Sequence, residues 1–286
     1  MPAKMQRVCV IGLGLMGGSL GLVLRQRGLA AHVVGCGRQA LLSRAVEMGA
    51  IDSGYTDASQ AAAESDFVFL CTPVETSIRL MREIAPRLKP GALVTDVGST
   101  KAAFAEAARE VFGATANDRV LPGHPLAGRE LSGLEHASAD LYEGCVWVLT
   151  PLAESATAAH EQLRATIEAL GARVVYATPE EHDRTLAYTS HLPQMLSTAL
   201  ALTLEDEFGA ANPALEIHAG GLRTMLRLAS SDPVMWEQIA ASNPQNIVAA
   251  LERFEGELRK LRESFGDPEF RRRFETAREF AKRLRG

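Results

Sequence analysis

Three stretches of the chain carry residues whose types and spacing suit chemistry at one site. In "GHPLAGRELSG", residues 123–133, His124 stands between Gly123 and Pro125. Proline biases the residue before it toward an extended backbone, and Gly123 lets the chain approach a ligand closely, so the imidazole is held rather than mobile. With an ordinary pKa of roughly 6.5, imidazole is the side chain suited to take a proton near neutrality. In isolation such a histidine is more often structural, and its reading as a base depends on what binds beside it. His191 in "YTSHLPQM" lies just before Pro193, whose missing N–H and ring should kink a helix and leave carbonyls free near that turn. It is either exposed to a cleft or a capped core histidine. Arg223 and Arg227 in "GGLRTMLRLASSDPVMW" are four apart, on one helical face amid apolar residues, with no acid at helical spacing. A carboxylate ligand would satisfy Arg227 bidentately; a snorkelling surface arginine is the alternative.

The opening stretch "VCVIGLGLMGGSL" says what such a base would serve. Gly12-x-Gly14-x-x-Gly17 follows a strand-like run and opens a helical one. The first glycine allows a tight turn, the second lets backbone approach a pyrophosphate, and the third lets helix and strand pack closely. Leu15 and Met16 between the glycines, and Thr72 and Pro73 in the later loop "CTPVE", are further candidates for contact with a dinucleotide. About twenty residues on, where NAD-specific versions place an acid against the ribose 2′-hydroxyl, the chain has Gly37 and Arg38. A guanidinium without a neighbouring carboxylate suits a 2′-phosphate, so NADP is expected over NAD, with NAD still possible. An alcohol that loses hydride to such a cofactor must also lose its hydroxyl proton, and a base within reach contributes roughly 10²- to 10⁴-fold. His124 is placed to be that base.

The elements that must position these residues are legible as pattern. Short runs rich in β-branched residues at 7–12, 31–37, 66–73, 92–98 and 145–151 alternate with helical patterns at 17–28, 38–49, 74–88 and 101–113. A helix over 157–171 and a strand over 172–178 should complete the sheet. The fold class is therefore α/β: an N-terminal Rossmann-like, doubly wound parallel sheet over residues 1–178. From Thr178, where Glu181 three residues on completes a capping-box pattern, no strand signal appears, and residues 179–286 are expected to form an all-helical dimerisation domain. Long apolar helices such as "MLSTALALTL" often need a partner surface, which suggests a homodimer. The 286 residues are 47% hydrophobic and 23% charged, and the formal net charge is -5. That balance gives no overall pull toward nucleic acid or an anionic membrane. No apolar run approaches the ~20 residues needed to span a bilayer, and no signal-peptide core precedes the first strand, so a cytoplasmic location is expected. Cys9, Cys36, Cys71 and Cys145 lie in or beside apolar runs without metal spacing, and read as reduced packing residues; no metal is expected.

Taken in order, "GLGLMGGS", "DVGSTK", "GHPLAGRELSG", "SHLPQ" and "GLRTMLRLASSDPVMW" resemble the prephenate/arogenate dehydrogenase family of tyrosine biosynthesis, which includes the broad-specificity cyclohexadienyl dehydrogenases. The resemblance covers nearly the whole chain. It implies oxidative decarboxylation of prephenate to 4-hydroxyphenylpyruvate, or of arogenate to tyrosine, at a site between a nucleotide-binding and a helical domain. It gives His124 the role of proton acceptor from the ring C4 hydroxyl, and Ser99 that of orienting this hydroxyl and the cofactor. His191 and Arg227 match residues that hold substrate carboxylates, and Glu130 an acidic position near the substrate side chain. Arg129 stands where Thr or Ala is frequent, which bears on preference between pyruvyl and alanyl side chains. Thr224 replaces an aspartate that elsewhere supports the arginine. β-Hydroxyacid dehydrogenases of the 3-hydroxyisobutyrate type share the glycine motif, but their catalytic lysine has no counterpart in 157–171; a non-catalytic NADP-binding regulator is the other alternative.

Overall fold

The computed structural model describes residues 3–128, 131–209 and 212–285. The first half alternates strand and helix: β1 (Met5–Ile11), α1 (Leu15–Gln26), β2 (Ala30–Cys36), α2 (Gln39–Glu47), β3 (Ser53–Tyr55), α3 (Ala58–Ala63), β4 (Phe67–Leu70), α4 (Val74–Ile84), β5 (Leu93–Asp96) and α5 (Ala102–Phe112). The strands pair in parallel in the order β3-β2-β1-β4-β5. Both faces are covered, as the continuous apolar runs require. Val8 and Val10 pack into one buried cluster, whereas Cys9 and Ile11, pointing the other way, pack into a second. All four cysteines are free thiols.

Beyond α5 the expected single sheet divides. After α6 (Ala116–Arg119) come β6 (Gly123–Pro125), β7 (Val146–Leu149), α7 (Ala158–Ala169) and β8 (Arg173–Tyr176), which form a separate three-stranded sheet. β6 runs antiparallel to β7, and β7 parallel to β8. The strands at 145–151 and 172–178 therefore do not extend the main sheet, and His124, expected in a loop, sits on a strand opposite Val148. The reason is local. The chain joins β5 through the Val94–Val120 bridge and a bond from Leu121 N–H to the Val94 carbonyl. Pro122 then has no N–H to continue the ladder, and Gly123 gives its N–H to the Asp96 side chain at 3.1 Å.

The second half is helical throughout its described residues: α8 (Pro179–Leu186), α9 (Leu192–Phe208), α10 (Gly220–Leu226), α11 (Pro233–Ser242), α12 (Pro244–Glu263) and α13 (Pro268–Arg285). The capping box at its start is formed: the Thr178 hydroxyl accepts from Glu181 N–H, and the Glu181 carboxylate accepts from Thr178 N–H. Ahead of Pro193 the helix is interrupted by a π-helical turn over Ala187–His191; a widened turn accommodates a proline ring where a regular one cannot. Few residues are buried here. Ala187, Ile239, Ile247 and Ala250 make a small buried cluster, while Leu202, Met225, Val248 and Phe274 remain exposed.

Candidate active site

The glycine motif builds an anion cradle. Gly12 has a φ of +96°, the left-handed region, and a Cβ there would stand 2.6 Å from the Cys71 carbonyl oxygen. At Gly17 a Cβ would lie 2.0 Å from the carbonyl oxygen of Gly12, so only glycine lets α1 approach β1 this closely. At Gly14 a Cβ would meet nothing within 4 Å: that glycine faces open space, as the position nearest a pyrophosphate should. α1 begins at Leu15 and Met16 with no side-chain cap and no acid in its first turn, leaving its positive end for an anion. The Tyr142 hydroxyl donates to the Met16 carbonyl at 2.7 Å and fixes the turn from behind. A dinucleotide fits these residues. Arg38, at the start of α2, is exposed and pairs with no acid among the described residues.

From the cradle a cavity of about 280 Å³ runs between the two halves. Met16, Thr72, Pro73 and Ser99 line it from the first half, and Met235 and Gln238 from α11. Beside the β5–α5 loop lies a buried chain of titratable groups. His124 Nδ1 is 2.9 Å from His182 Nε2, and His182 Nδ1 is 2.7 Å from Asp183 Oδ1. Asp183 also accepts the backbone N–H groups of Lys101 at 2.7 Å and Ala102 at 2.9 Å, so an acid of α8 caps α5 across the domain boundary. The carboxylate only accepts, which sets every proton in the chain. With both rings neutral, His182 carries its hydrogen on Nδ1 and accepts at Nε2, and His124 carries its own on Nδ1; among the described residues nothing bonds to His124 Nε2. Burial first, and then the neighbouring His182, Lys101 and His191, push the His124 pKa well below its usual value, so the ring is neutral and able to accept.

His191 is 1% exposed, with its ring edge-on to Trp236 at 5.8 Å. Asn243, buried where α11 meets α12, donates to the Asp183 carbonyl at 2.8 Å and reaches His191 Nδ1 at 3.5 Å. This leaves the hydrogen of His191 on Nε2. Burial lowers its pKa to about 4, against an opposing pull from Asp183, so the ring is neutral near pH 7. Arg227 lies at the C-cap of α10, one residue past the helix, and both it and Arg223 are exposed rather than set among buried apolar side chains. Gln194, 5% exposed, donates to the Leu228 carbonyl at 2.8 Å and accepts from Ser231, tying the segment after Arg227 to α9. Arg129 and Glu130 lie outside the described residues.

Comparison with known proteins agrees along the whole length. The family "Prephenate dehydrogenase, nucleotide-binding domain" matches residues 20–176, and "Prephenate dehydrogenase, dimerization domain" matches 178–277. The chain belongs to the prephenate dehydrogenase family. It is 32% identical to the prephenate dehydrogenase of Lactococcus lactis over 90% of this chain and 70% of that one. It is 30% identical to the cyclohexadienyl dehydrogenase of Zymomonas mobilis, over 90% and 87%. Among solved structures, prephenate dehydrogenase of Aquifex aeolicus in complex with hydroxyphenyl propionate and NAD+ aligns with a TM-score of 0.90 at 31% identity, over 99% of both chains. Synechocystis arogenate dehydrogenase aligns at 0.83 and 29%, over 98% of this chain and 100% of that one. A 3-hydroxyisobutyrate dehydrogenase from Salmonella typhimurium, at 15% identity and a TM-score of 0.58, shares the fold alone. The family is one of dehydrogenases, and a nicotinamide cofactor belongs with the nucleotide-binding half. Of these groups His124, Ser99 and His191 carry motif signals in the sequence, whereas His182, Asp183 and Asn243, which bond to them or to their neighbours, do not. The adjacent pair His182-Asp183, four and five residues past the N-cap of a capped helix, is the available signal.

Proposed function

We propose that the chain catalyses oxidative decarboxylation of prephenate, arogenate or both, giving 4-hydroxyphenylpyruvate or tyrosine. The observation that carries this reading is the Asp183–His182–His124 chain, which presents a bare, neutral Nε2 as proton acceptor. When bound, the nicotinamide supplies the hydride acceptor. His124 Nε2 takes the proton of the ring hydroxyl as the carbinol C–H bond breaks, and the new imidazolium is stabilised through Nδ1 by His182 and, behind it, Asp183. In the resulting dienone the bond to the ring carboxylate breaks, its electron pair enters the ring, CO2 leaves, and His124 returns its proton to the phenolate oxygen. Ser99, on the wall of the cavity, orients the hydroxyl. His191 offers Nε2–H and Arg227 its guanidinium to the substrate carboxylates, while Glu130 and Arg129, by the family resemblance of their positions, bear on the choice between the two side chains. Arg38 favours NADP over NAD by pairing with the 2′-phosphate.

The division of labour falls at the capped start of α8: residues 1–178 bind the dinucleotide, and residues 179–286 bind substrate and associate with a second copy, whose surface would cover the exposed apolar side chains of the helices. The enzyme works in the cytoplasm on a small-molecule substrate, with no nucleic-acid or membrane partner. The test is steady-state reduction of NADP and NAD with each acid, by the wild type and His124→Asn. Turnover with at least one acid is expected, with kcat lowered 10²- to 10⁴-fold in the variant and KM little changed. A His124→Asn enzyme of full activity, or a wild type inert toward both acids, would overturn the reading.

A further inference from the structure

Asp96 at the end of β5 and Lys101 before α5 are both fully buried and in direct contact, and the chemistry above uses neither. Burial pushes the Asp96 carboxyl up and the Lys101 ammonium down from their usual ranges, and their mutual attraction opposes both shifts. A buried pair of this kind is weak evidence for stability, because apolar groups of similar volume hold a core as well or better. Its partners suggest geometry instead. Lys101 Nζ donates to the Gly123 carbonyl at 2.9 Å, and Asp96 Oδ1 accepts the Gly123 N–H at 3.1 Å. Asp96 Oδ2 also accepts the Gly98 N–H at 2.9 Å, in the turn that leads to Ser99. Opposite charges therefore grip the peptide groups on both sides of Gly123, one residue before His124. Bulk closes the third side, since a Cβ on Gly123 would stand 2.8 Å from Trp147 Nε1.

The same lysine reaches the imidazole by a second route. Its backbone N–H is bound by Asp183, which holds His182, which holds His124 Nδ1. A closed ring results: Lys101 side chain, Gly123, His124, His182, Asp183, Lys101 backbone. We propose that the Asp96–Lys101 pair is a positioning clamp that fixes the Gly123–His124 backbone, so that an imidazole already held at Nδ1 from the helical domain presents Nε2 in one orientation only. This rests on the reading of His124 as the base. The titratable and charged groups around that ring are His182 and His191 from the helical domain and Lys101 from the first, with Asp183 and Asp96 one bond behind.

Three variants test it together: Lys101→Met, Asp96→Asn/Lys101→Met, and His124→Asn as reference. The double variant leaves no lone buried charge and separates a positioning defect from a folding one. Expected for both clamp variants is a kcat at least about thirtyfold below wild type, with both KM values within about threefold, as loss of orientation predicts. The acid limb of the kcat–pH profile should move upward, because the Lys101 cation no longer opposes protonation of His124. A stable double variant with wild-type kcat and an unmoved profile overturns the clamp. Amide exchange in the wild type judges it independently: the Gly123 N–H should exchange only through global or near-global opening, and rapid local exchange would refute the grip even if no variant folds. If the wild type turns over neither acid, the functional reading falls, whereas the Gly123 measurement still decides the clamp.

Discussion

Replacing His182 by leucine should slow the reaction without emptying the site. His182 is buried, and its Nε2 accepts the Nδ1–H of His124 at 2.9 Å. Leucine fills a similar volume but accepts nothing. In the ground state His124 then has a buried N–H without a partner, and in the transition state a nascent imidazolium without the acceptor that spreads its charge. A hydrogen bond to a charged group is worth roughly 1.5–3 kcal/mol. At about 1.4 kcal/mol per factor of ten, kcat should fall by roughly 10- to 150-fold. KM for the acid should stay within about threefold, since His182 lies behind the base and not against the substrate. Asp183 keeps both bonds to the N-terminus of α5, so Tm should fall by only a few degrees, at about 2–4 °C per kcal/mol for a chain of this size. His182→Gln, whose amide oxygen can still accept from His124, should recover part of the loss. Steady-state kinetics and thermal unfolding of the two variants supply the comparison. A folded His182→Leu enzyme with kcat within threefold of wild type would show that Nε2 is bared by something other than this chain.

Gly14→Ala, whose Cβ meets nothing within 4 Å, should keep the wild-type Tm but raise KM for the dinucleotide severalfold, whereas Gly17→Ala, with a Cβ 2.0 Å from a backbone oxygen, should lower Tm as well; equal Tm values in the two would contradict the packing argument. Arg38→Ala should raise KM for NADP at least tenfold and leave NAD almost unaffected, and a wild type that prefers NAD refutes the assignment. Acid should destabilise the protein before its carboxylates titrate. The native His191 pKa of about 4 lies below the ordinary 6.5, so stability is intact above pH 6.5 and lost as the unfolded chain takes up a proton the native state refuses, on the order of 2–3 kcal/mol by pH 4. Thermal scans from pH 7 to pH 4 with no decline above pH 4.5 would count against a neutral, buried His191.

The strands β1, β2, β4 and β5 were legible because each has a stretch of consecutive buried residues, mostly apolar, that lies on both faces of the sheet. β3 was not, because Ser53, Gly54 and Tyr55 form a half-buried edge strand with no such run. The separate sheet was illegible for another reason. It depends on Pro122 ending one ladder and on where the Gly123 N–H then goes, and the answer is the side chain of Asp96, a partner 27 residues away. A capping box, by contrast, is a purely local device, and at Thr178 the sequence alone sufficed to place it.

The site divides along the same line. Gly12, Gly14 and Gly17 act through backbone geometry that spacing encodes, so the cradle could be read directly. What orients the His124 imidazole could not, because its ring is held by His182, 58 residues away, and by an aspartate that is anchored on the first turn of α5. Each of these links crosses from one half of the chain to the other, as do the bonds from Thr100 to Ser242 at 2.8 Å and from His182 through Asp183 to Lys101. The two halves meet through groups that each would otherwise bury unsatisfied or leave in water. It follows that docking of the helical half orders His124, whose imidazole would have no fixed tautomer in the first half alone.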